Sequence, residues 1–328
     1  MKVIVFNTQL YELPFLKGAL HNHEVNYVEE PLSIESAANI DNTYAISISG
    51  EALDKPMLNK LVEKGVKHVA LRIAGLDRID TRYASKVGIT IAHVPDYSPF
   101  AVAEHAMMLL LALNRKLLRA NTKVREYDFT LNDLVGTDLH GKTAGIVGLG
   151  RTGQAMASIL NGFGCRILGY NRSEKPDLTE KYQVEFCTLE KLCKESDFIS
   201  LHLPYNKHTH YIINKKTIAL MKKGVLLVNT ARGQLVNIQD AIDEIVNEHI
   251  GGLGLDVYEN EIGLFFQDHS NAILKDETFA RLLSFKNVII TGHMAFLTRE
   301  ALSNIAQTTA FTLDCWEKGV TSKYEVKI

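Results

Sequence analysis

The chain has no hydrophobic run long enough to cross a bilayer. Its most apolar helical stretch, Ala101–Leu113, is interrupted by Glu104 and His105 and is too short for a span. Residues 1–7 are too short for a signal-peptide core and read as a first β-strand. Cysteine is scarce: Cys165, Cys187, Cys193 and Cys315 show neither CxxC spacing nor a secretory context. That excludes a disulfide scaffold and points to reduced thiols in a cytoplasmic protein. An excess of one charge sign is also missing. Thirty-six Lys and Arg face 38 Asp and Glu, a formal charge of −2. Neither nucleic acid nor an anionic membrane is therefore an expected partner. His21, His23, His208 and His210 lack the ligand clustering of a metal site, so no metal is expected.

What is present is alternation. A chain of 328 residues exceeds one ordinary core, so two domains are expected. Strand-like runs at 2–6, 24–28, 44–48, 67–71 and 90–93 alternate with helical pattern, notably 55–64. Such alternation implies a parallel sheet covered on both faces. The pattern breaks at Asp96-Tyr97-Ser98-Pro99, because the residue before proline resists helical geometry. A long helix from Ala101 to about Leu118 follows. From Lys142 the alternation restarts, with strands at 143–147, 166–170, 184–187, 198–202, 225–229, 251–257 and 288–291 and a helix over 153–163. That count suits a six- or seven-stranded doubly wound α/β sheet. Residues after Thr298 read as one helix with no strand of their own to cover. The expected order is an outer domain of 1–99 plus 299–328, with a domain of 100–298 inserted. Hinges near Pro99 and Thr298 would let the domains close.

Gly148, Gly150 and Gly153 form GxGxxG directly after a strand and at the start of a helix. The first glycine permits the tight turn, the second lets backbone approach a pyrophosphate, and the third lets helix and strand pack. With Arg151 and Thr152 they open a helix whose N-terminus attracts phosphate. A dinucleotide is therefore the expected cofactor. About 20 residues on, an NAD site presents an acidic residue to the ribose. Here Asn171 and Arg172 stand instead. Asn171 removes the charge that would repel a 2′-phosphate, and Arg172 could pair with one. The reading is NAD or NADP, with NADP competence. A solvated loop with an idle Arg172 is the alternative.

Three later strand-like runs each end in a residue suited to one chemical step. They deliver Arg232, Glu261 and His293 to the carboxyl edge of the sheet, where open α/β sheets bind ligands. Arginine can hold a carboxylate and polarise a carbonyl. Histidine can exchange a proton, oriented by a glutamate whose charge favours the imidazolium. Together they suit hydride exchange between a nicotinamide and a 2-oxo acid. Singly, each has a bland reading: a surface ion-pair arginine, a solvated turn glutamate, a histidine capping a strand.

The chain resembles the D-2-hydroxyacid dehydrogenase family nearly end to end. The resemblance runs through LRIAGLD (71–77), PDYSP (95–99), AVAEHA (101–106), LHGKTAGIVGLG (139–150), SLHLP (200–204), NTARG (229–233), GLDVYENE (254–261) and GHMAFLTREAL (292–302). It implies a Rossmann nucleotide domain inserted into a discontinuous flavodoxin-like substrate domain, and a fermentative D-lactate activity with pyruvate as substrate. It implies Arg232, Glu261 and His293 as the catalytic set, and backbone N–H groups near Ala74 and Gly75 as the carboxylate site. Tyr97 and Phe296 would line the substrate pocket. His202, Pro204, Thr230, Ala231 and Asp256 would meet the nicotinamide half, and Thr209 joins the cofactor set. It further implies a homodimer through the nucleotide domains, which would account for the apolar 101–113 helix; intramolecular core is the alternative.

The chain departs from the lactate pattern at three places. Asp96 replaces a small alanine, Met294 a glutamine and Asn171 an aspartate. Met294 would suit a larger 2-oxo acid of phenylpyruvate or 2-oxoisocaproate type. A non-catalytic NAD(H)-sensing protein is the reading from another class.

Overall fold

The computed structural model describes residues 1–41 and 43–327; Asn42 and Ile328, the last residue of the expected outer segment, lie outside them. The chain groups into two units, Met1–Ser98 with Phe296–Ile328, and Pro99–Ala295. The sequence puts the return to the outer unit at residue 299, whereas the structure puts it at Phe296. Met294 and Ala295 are hydrogen-bonded to Asp256 of the inner unit, while the Phe296 ring meets Tyr97 of the outer one.

In the first unit, β1 (Lys2–Val5), β2 (Glu24–Tyr27), β3 (Ala45–Ile48), β4 (His68–Leu71) and β5 (Thr90–Ala92) form a parallel sheet. Their order is β2-β1-β3-β4-β5, the flavodoxin-like order. Side chains alternate across a strand, so Val3 and Val5 face one side and Ile4 and Phe6 the other. All four are buried. One face packs on Leu58 and Leu61 of the helix Lys55–Glu63, whose first turn is capped by Asp54 accepting from Met57 N–H at 3.0 Å. The other face carries small residues, Ala45, Ala70 and Ala92, against Leu16, Leu313 and Trp316. That space admits the last helix, Arg299–Glu317, capped by Thr298. Trp316 stacks on His68 with ring centroids 4.5 Å apart, and burial holds His68 below its ordinary pKa.

The second unit contains β6 (Thr143–Val147), β7 (Arg166–Tyr170), β8 (Val184–Phe186), β9 (Phe198–Leu201), β10 (Val225–Asn229), β11 (Ile250–Leu255) and β12 (Val288–Ile290). All are parallel in the order β12-β11-β10-β9-β6-β7-β8. The order reverses between β6 and β9, and such a switch point opens a crevice at the carboxyl ends.

The helix expected from Ala101 to about Leu118 is in fact two, Pro99–Asn114 and Leu117–Arg125. Lys116 takes a left-handed φ of 48° between them, and the Asn114 amide turns to Thr137, donating to its carbonyl at 2.7 Å. The Pro99–Asn114 helix is apolar because it is core. Met107, Leu109, Leu110 and Leu113 are buried within the unit. Gly254 of β11 makes the approach feasible, since a Cβ there would lie 3.2 Å from Leu109 Cβ.

Candidate active site

Five strands of the second unit end in register. Val147 pairs with Leu201, Leu201 with Asn229, Asn229 with Leu255, and Leu255 with Ile290. The residues that follow, Gly148, His202, Thr230, Asp256 and Thr291, therefore line the carboxyl edge at strand spacings of about 5 Å. Four of these five belong to the expected cofactor set.

At the β6 end, Gly148 has φ of +99°, and a Cβ there would meet the His202 carbonyl at 2.7 Å. A Cβ on Gly153 would lie 2.0 Å from the Gly148 oxygen. These two glycines are required by the fold itself. Gly150 is different: its Cβ would meet nothing within 4 Å, and it gives the Arg151–Gly162 helix no side-chain cap. Open space in front of an uncapped helix start suits a phosphate. Asn171 spends its side chain on the chain, accepting from Leu149 N–H at 3.2 Å and donating to Ser173 O at 2.7 Å. Arg172 is exposed and, among the described residues, makes no hydrogen bond.

His202 is buried and shares a hydrogen bond between Nε2 and Ser200 Oγ at 2.9 Å. Among the described residues its Nδ1 has no hydrogen-bond partner, nor has the buried Thr230 hydroxyl. Unsatisfied buried polar atoms are rare, and these two stand side by side on the edge where a nicotinamide dinucleotide is expected. The group fits the residues present. Burial pushes the His202 pKa down to about 4, so the ring is neutral near pH 7. Pro204 is exposed, and its carbonyl accepts the Thr209 hydroxyl at 2.9 Å, so Thr209 braces the loop that carries it.

Past β10, Asn229 organises the turn that presents Arg232. Its Oδ1 accepts Ala231 N–H at 3.0 Å and its Nδ2 donates to the Arg232 carbonyl at 2.8 Å. Arg232 is half-buried and donates from Nη1 to Ala231 O at 2.8 Å. Gly233 lets this turn touch the next loop, because a Cβ would lie 2.2 Å from Glu259 N. That loop carries Glu261, whose Oε2 accepts Tyr258 N–H at 3.2 Å. Its Oε1 lies 3.0 Å from His293 Nδ1. His293 sits at φ +54°, and Phe266 flanks its ring at a centroid distance of 5.8 Å. Its neighbour Phe265 packs on the core, whereas Phe266 is exposed beside His293.

Asp256 is wholly buried, and its carboxylate faces the turn that follows β12. It accepts from Thr291 Oγ1–H, Met294 N–H and Ala295 N–H at 2.5, 2.9 and 2.8 Å. His105, Thr291 and Asn229 are the residues that sequence reasoning passed over. His105 carried a signal, a polar interruption in an apolar helix, while Asn229 read as the end of a strand.

The expected substrate residues Ala74, Gly75, Tyr97 and Phe296 all belong to the first unit. Ala74 follows β4, and its carbonyl is hydrogen-bonded to His93 Nδ1 at 2.9 Å. Gly75 follows it, half-buried. The buried pair Arg72–Glu12, 3.1 Å apart, ties the same strand end to the segment after β1. Tyr97 and Phe296 meet edge-on with centroids 6.3 Å apart, and Asn304 holds the Tyr97 carbonyl. Asp96 is exposed. His23, expected to lie apart from other ligands, instead has Nε2 3.1 Å from Asp314 and Nδ1 3.6 Å from Glu317. Helix spacing puts those carboxylates on one face, which the distance along the chain conceals.

Residues 107–295 match the family model described as D-isomer specific 2-hydroxyacid dehydrogenase, NAD binding domain. The chain is 42% identical to the D-lactate dehydrogenase kk1H of Curvularia clavata, covering 98% of this chain and 93% of that one. The apo-structure of D-lactate dehydrogenase from Escherichia coli superposes with a TM-score of 0.90 at 38% identity, with both chains wholly covered. A D-lactate dehydrogenase from Aquifex aeolicus, complexed with NAD and lactic acid, gives 0.87 at 33% identity, covering 97% and 96%. Among the described residues no helix is long and apolar enough to cross a membrane. With the nucleotide edge, the paired histidine and these likenesses together, the chain belongs to the D-isomer specific 2-hydroxyacid dehydrogenases.

Proposed function

We propose that this protein is a D-lactate dehydrogenase that reversibly reduces pyruvate with a nicotinamide dinucleotide. The observation that carries the reading is the His293–Glu261 pair at 3.0 Å, on the sheet edge that also holds Arg232 and the dinucleotide loop. When bound, the nicotinamide supplies the hydride that reaches the C2 carbon. Arg232 holds the substrate carboxylate and polarises the C2 carbonyl. Glu261 accepts the Nδ1 proton of His293, which leaves Nε2 to deliver a proton to the forming alkoxide. Oxidation of the alcohol reverses the transfer. The cofactor lies along Gly148, Gly150, Arg151, Thr152 and Gly153, with His202, Thr230 and Ala231 toward the nicotinamide.

The test is an absorbance assay at the nicotinamide band with pyruvate, NADH and NADPH. Binding without turnover on any 2-oxo acid would favour the sensing protein. Asn171 brings no carboxylate to the ribose and Arg172 is exposed beside it, which favours use of NADPH alongside NADH. A thousandfold preference for NADH would sink that part. Met294, 42% exposed and next to His293, favours a second substrate reading, a larger 2-oxo acid. The ratio of kcat/KM for pyruvate and phenylpyruvate separates the two.

A homodimer is part of the proposal. Leu117, Leu118, Tyr127, Leu131 and Val135 are all more than half exposed along one segment of the nucleotide unit. Apolar surface of that kind marks protein contacts. Light scattering coupled to size exclusion reads the mass directly. The four cysteines are free thiols, in keeping with a cytoplasmic location.

A further inference from the structure

His105 lies in the middle of the Pro99–Asn114 helix, between the buried Ala103 and Ala106 and beside the exposed Glu104. Its own side chain is 10% exposed, and its Nε2 sits 2.9 Å from Thr291 Oγ1 and 3.3 Å from Asp256 Oδ1. The direction of this chain of bonds follows from the groups involved. An ionised carboxylate only accepts, so Thr291 gives its single hydroxyl proton to Asp256. Thr291 Oγ1 can then only accept from His105, which places a proton on Nε2. The series runs from His105 Nε2–H to Thr291 Oγ1–H to Asp256 Oδ1.

The far end of that series is the turn bearing His293. The Asp256 carboxylate accepts Met294 N–H and Ala295 N–H, and its backbone carbonyl accepts His293 N–H at 2.7 Å. His293 itself holds a left-handed φ of +54°, a conformation that costs free energy for any residue with a Cβ. Three consecutive N–H groups anchored to one buried residue offset that cost. A carboxylate with no exposed surface needs donors on every side, and His105 is the basic side chain beside it.

We infer that His105 is a positioning residue: through Thr291 it fixes the Asp256 carboxylate, which fixes the turn that presents His293 to Glu261. The inference deepens the reading of His293 as proton carrier and rests on it. Asp256 then serves the geometry of the histidine turn, and His105 acts on the reaction without touching substrate or cofactor.

Two variants and two readouts test it. His105→Leu removes the donor; His105→Gln restores an N–H at the place of Nε2. His105→Leu is expected to lower kcat for 2-oxo acid reduction about tenfold or more, since small displacements of a reacting group are that costly. The Kd for NADH, read by nucleotide fluorescence, should stay within about twofold, and His105→Gln should recover most of the lost kcat. The second readout needs no turnover: the rate at which diethyl pyrocarbonate modifies His293, followed by peptide mass spectrometry. It should rise several-fold in His105→Leu, because the ring is no longer held, and return toward wild type in His105→Gln. If His105→Leu does not fold, Thr291→Val breaks the same series at nearly constant volume and carries the same expectations.

Wild-type kcat and an unchanged modification rate in His105→Leu would overturn the inference. So would a weakened Kd for NADH at constant kcat, which assigns the series to cofactor binding. Equal damage in His105→Leu and His105→Gln would reduce His105 to a packing residue and overturn it too. Should the wild-type protein turn over no 2-oxo acid, the dehydrogenase reading fails by itself. The modification rates would then still decide whether His105 holds the His293 turn.

Discussion

Nδ1 of His293 lies 3.0 Å from Oε1 of Glu261, although 32 residues separate them along the chain. Both side chains are about a quarter exposed, which leaves the imidazole reachable by a ligand while one of its nitrogens is already committed. A carboxylate on Nδ1 selects the tautomer and holds the ring plane. That one bond orients the ring as the proposed proton transfer requires.

Glu261→Gln keeps the shape of the pair and removes its charge. The expected result is a fall in kcat/KM for 2-oxo acid reduction of about ten- to a hundredfold, the scale of a general acid–base contribution. Nucleotide affinity should be unaffected. Stopped-flow reduction and a nucleotide fluorescence titration measure the two separately, and an unchanged kcat/KM would remove Glu261 from the mechanism.

Arg232→Lys retains a positive charge but loses the planar fork. If Arg232 grips the substrate carboxylate with two parallel hydrogen bonds, KM for the 2-oxo acid rises and kcat falls, together about a hundredfold in kcat/KM. Kinetics at saturating nucleotide read this directly. Equal kinetics in the variant would assign the arginine to the turn alone.

The loop glycines give a paired prediction. Gly153→Ala drives a Cβ to 2.0 Å from the Gly148 carbonyl, a backbone atom that cannot swing aside. It should cost about 1–3 kcal/mol of stability, as overpacking does. Gly150→Ala meets nothing within 4 Å and has no φ penalty, so the fold should tolerate it. Its added methyl stands in the space left for the pyrophosphate, and nucleotide affinity should drop sharply. Thermal unfolding and nucleotide titration of both variants form a crossed design; the reverse pattern would contradict the assignment of the loop.

His202 sets a pH window for stability. In the folded chain burial pushes its pKa to about 4, while the unfolded chain titrates near 6.5. Between those values the unfolded state binds more protons, so stability is whole above pH 6.5 and declines as pH falls toward 4. The full effect is about 3 kcal/mol. His202→Gln should flatten that part of the acid profile, measured as the denaturant midpoint from pH 7 to 4. Parallel profiles for the two proteins would show that the buried ring does not govern this window.

Cofactor choice is open to one substitution. Asn171→Asp returns a carboxylate to the end of β7, where it repels a 2′-phosphate. The ratio of kcat/KM for NADPH over NADH should fall at least tenfold, and an unchanged ratio would remove residue 171 from nucleotide selection.

Much of this was written in the chain. Strand alternation, the glycine spacing and the delivery of Arg232 and His293 by two β-strands are local patterns, and local patterns survive translation into structure. Even the break near Pro99 follows from proline sterics. The helix from Ala101 stops at Asn114, short of the expected Leu118, because Lys116 adopts a left-handed conformation that no composition announces, beside the Asn114–Thr137 contact. The apolarity of that helix signalled burial but not against what. Its partners proved to be glycine-bearing β11 and the Arg151–Gly162 helix, while Phe100 and Met108 stay exposed on it and further exposed apolar residues follow from Leu117 onward.

The amino-acid sequence alone settled which chemical groups this protein owns and in which order strands and helices carry them, since periodicity and turn chemistry act over a few residues. Register across the sheet was decided only in three dimensions. It put Gly148, His202, Thr230, Asp256 and Thr291 on one line, because hydrogen bonding between strands joins residues far apart in the chain. The His105–Thr291–Asp256 series arose the same way. A helix packed on the sheet brought an imidazole to a carboxylate 151 positions away, and burial made each depend on the other.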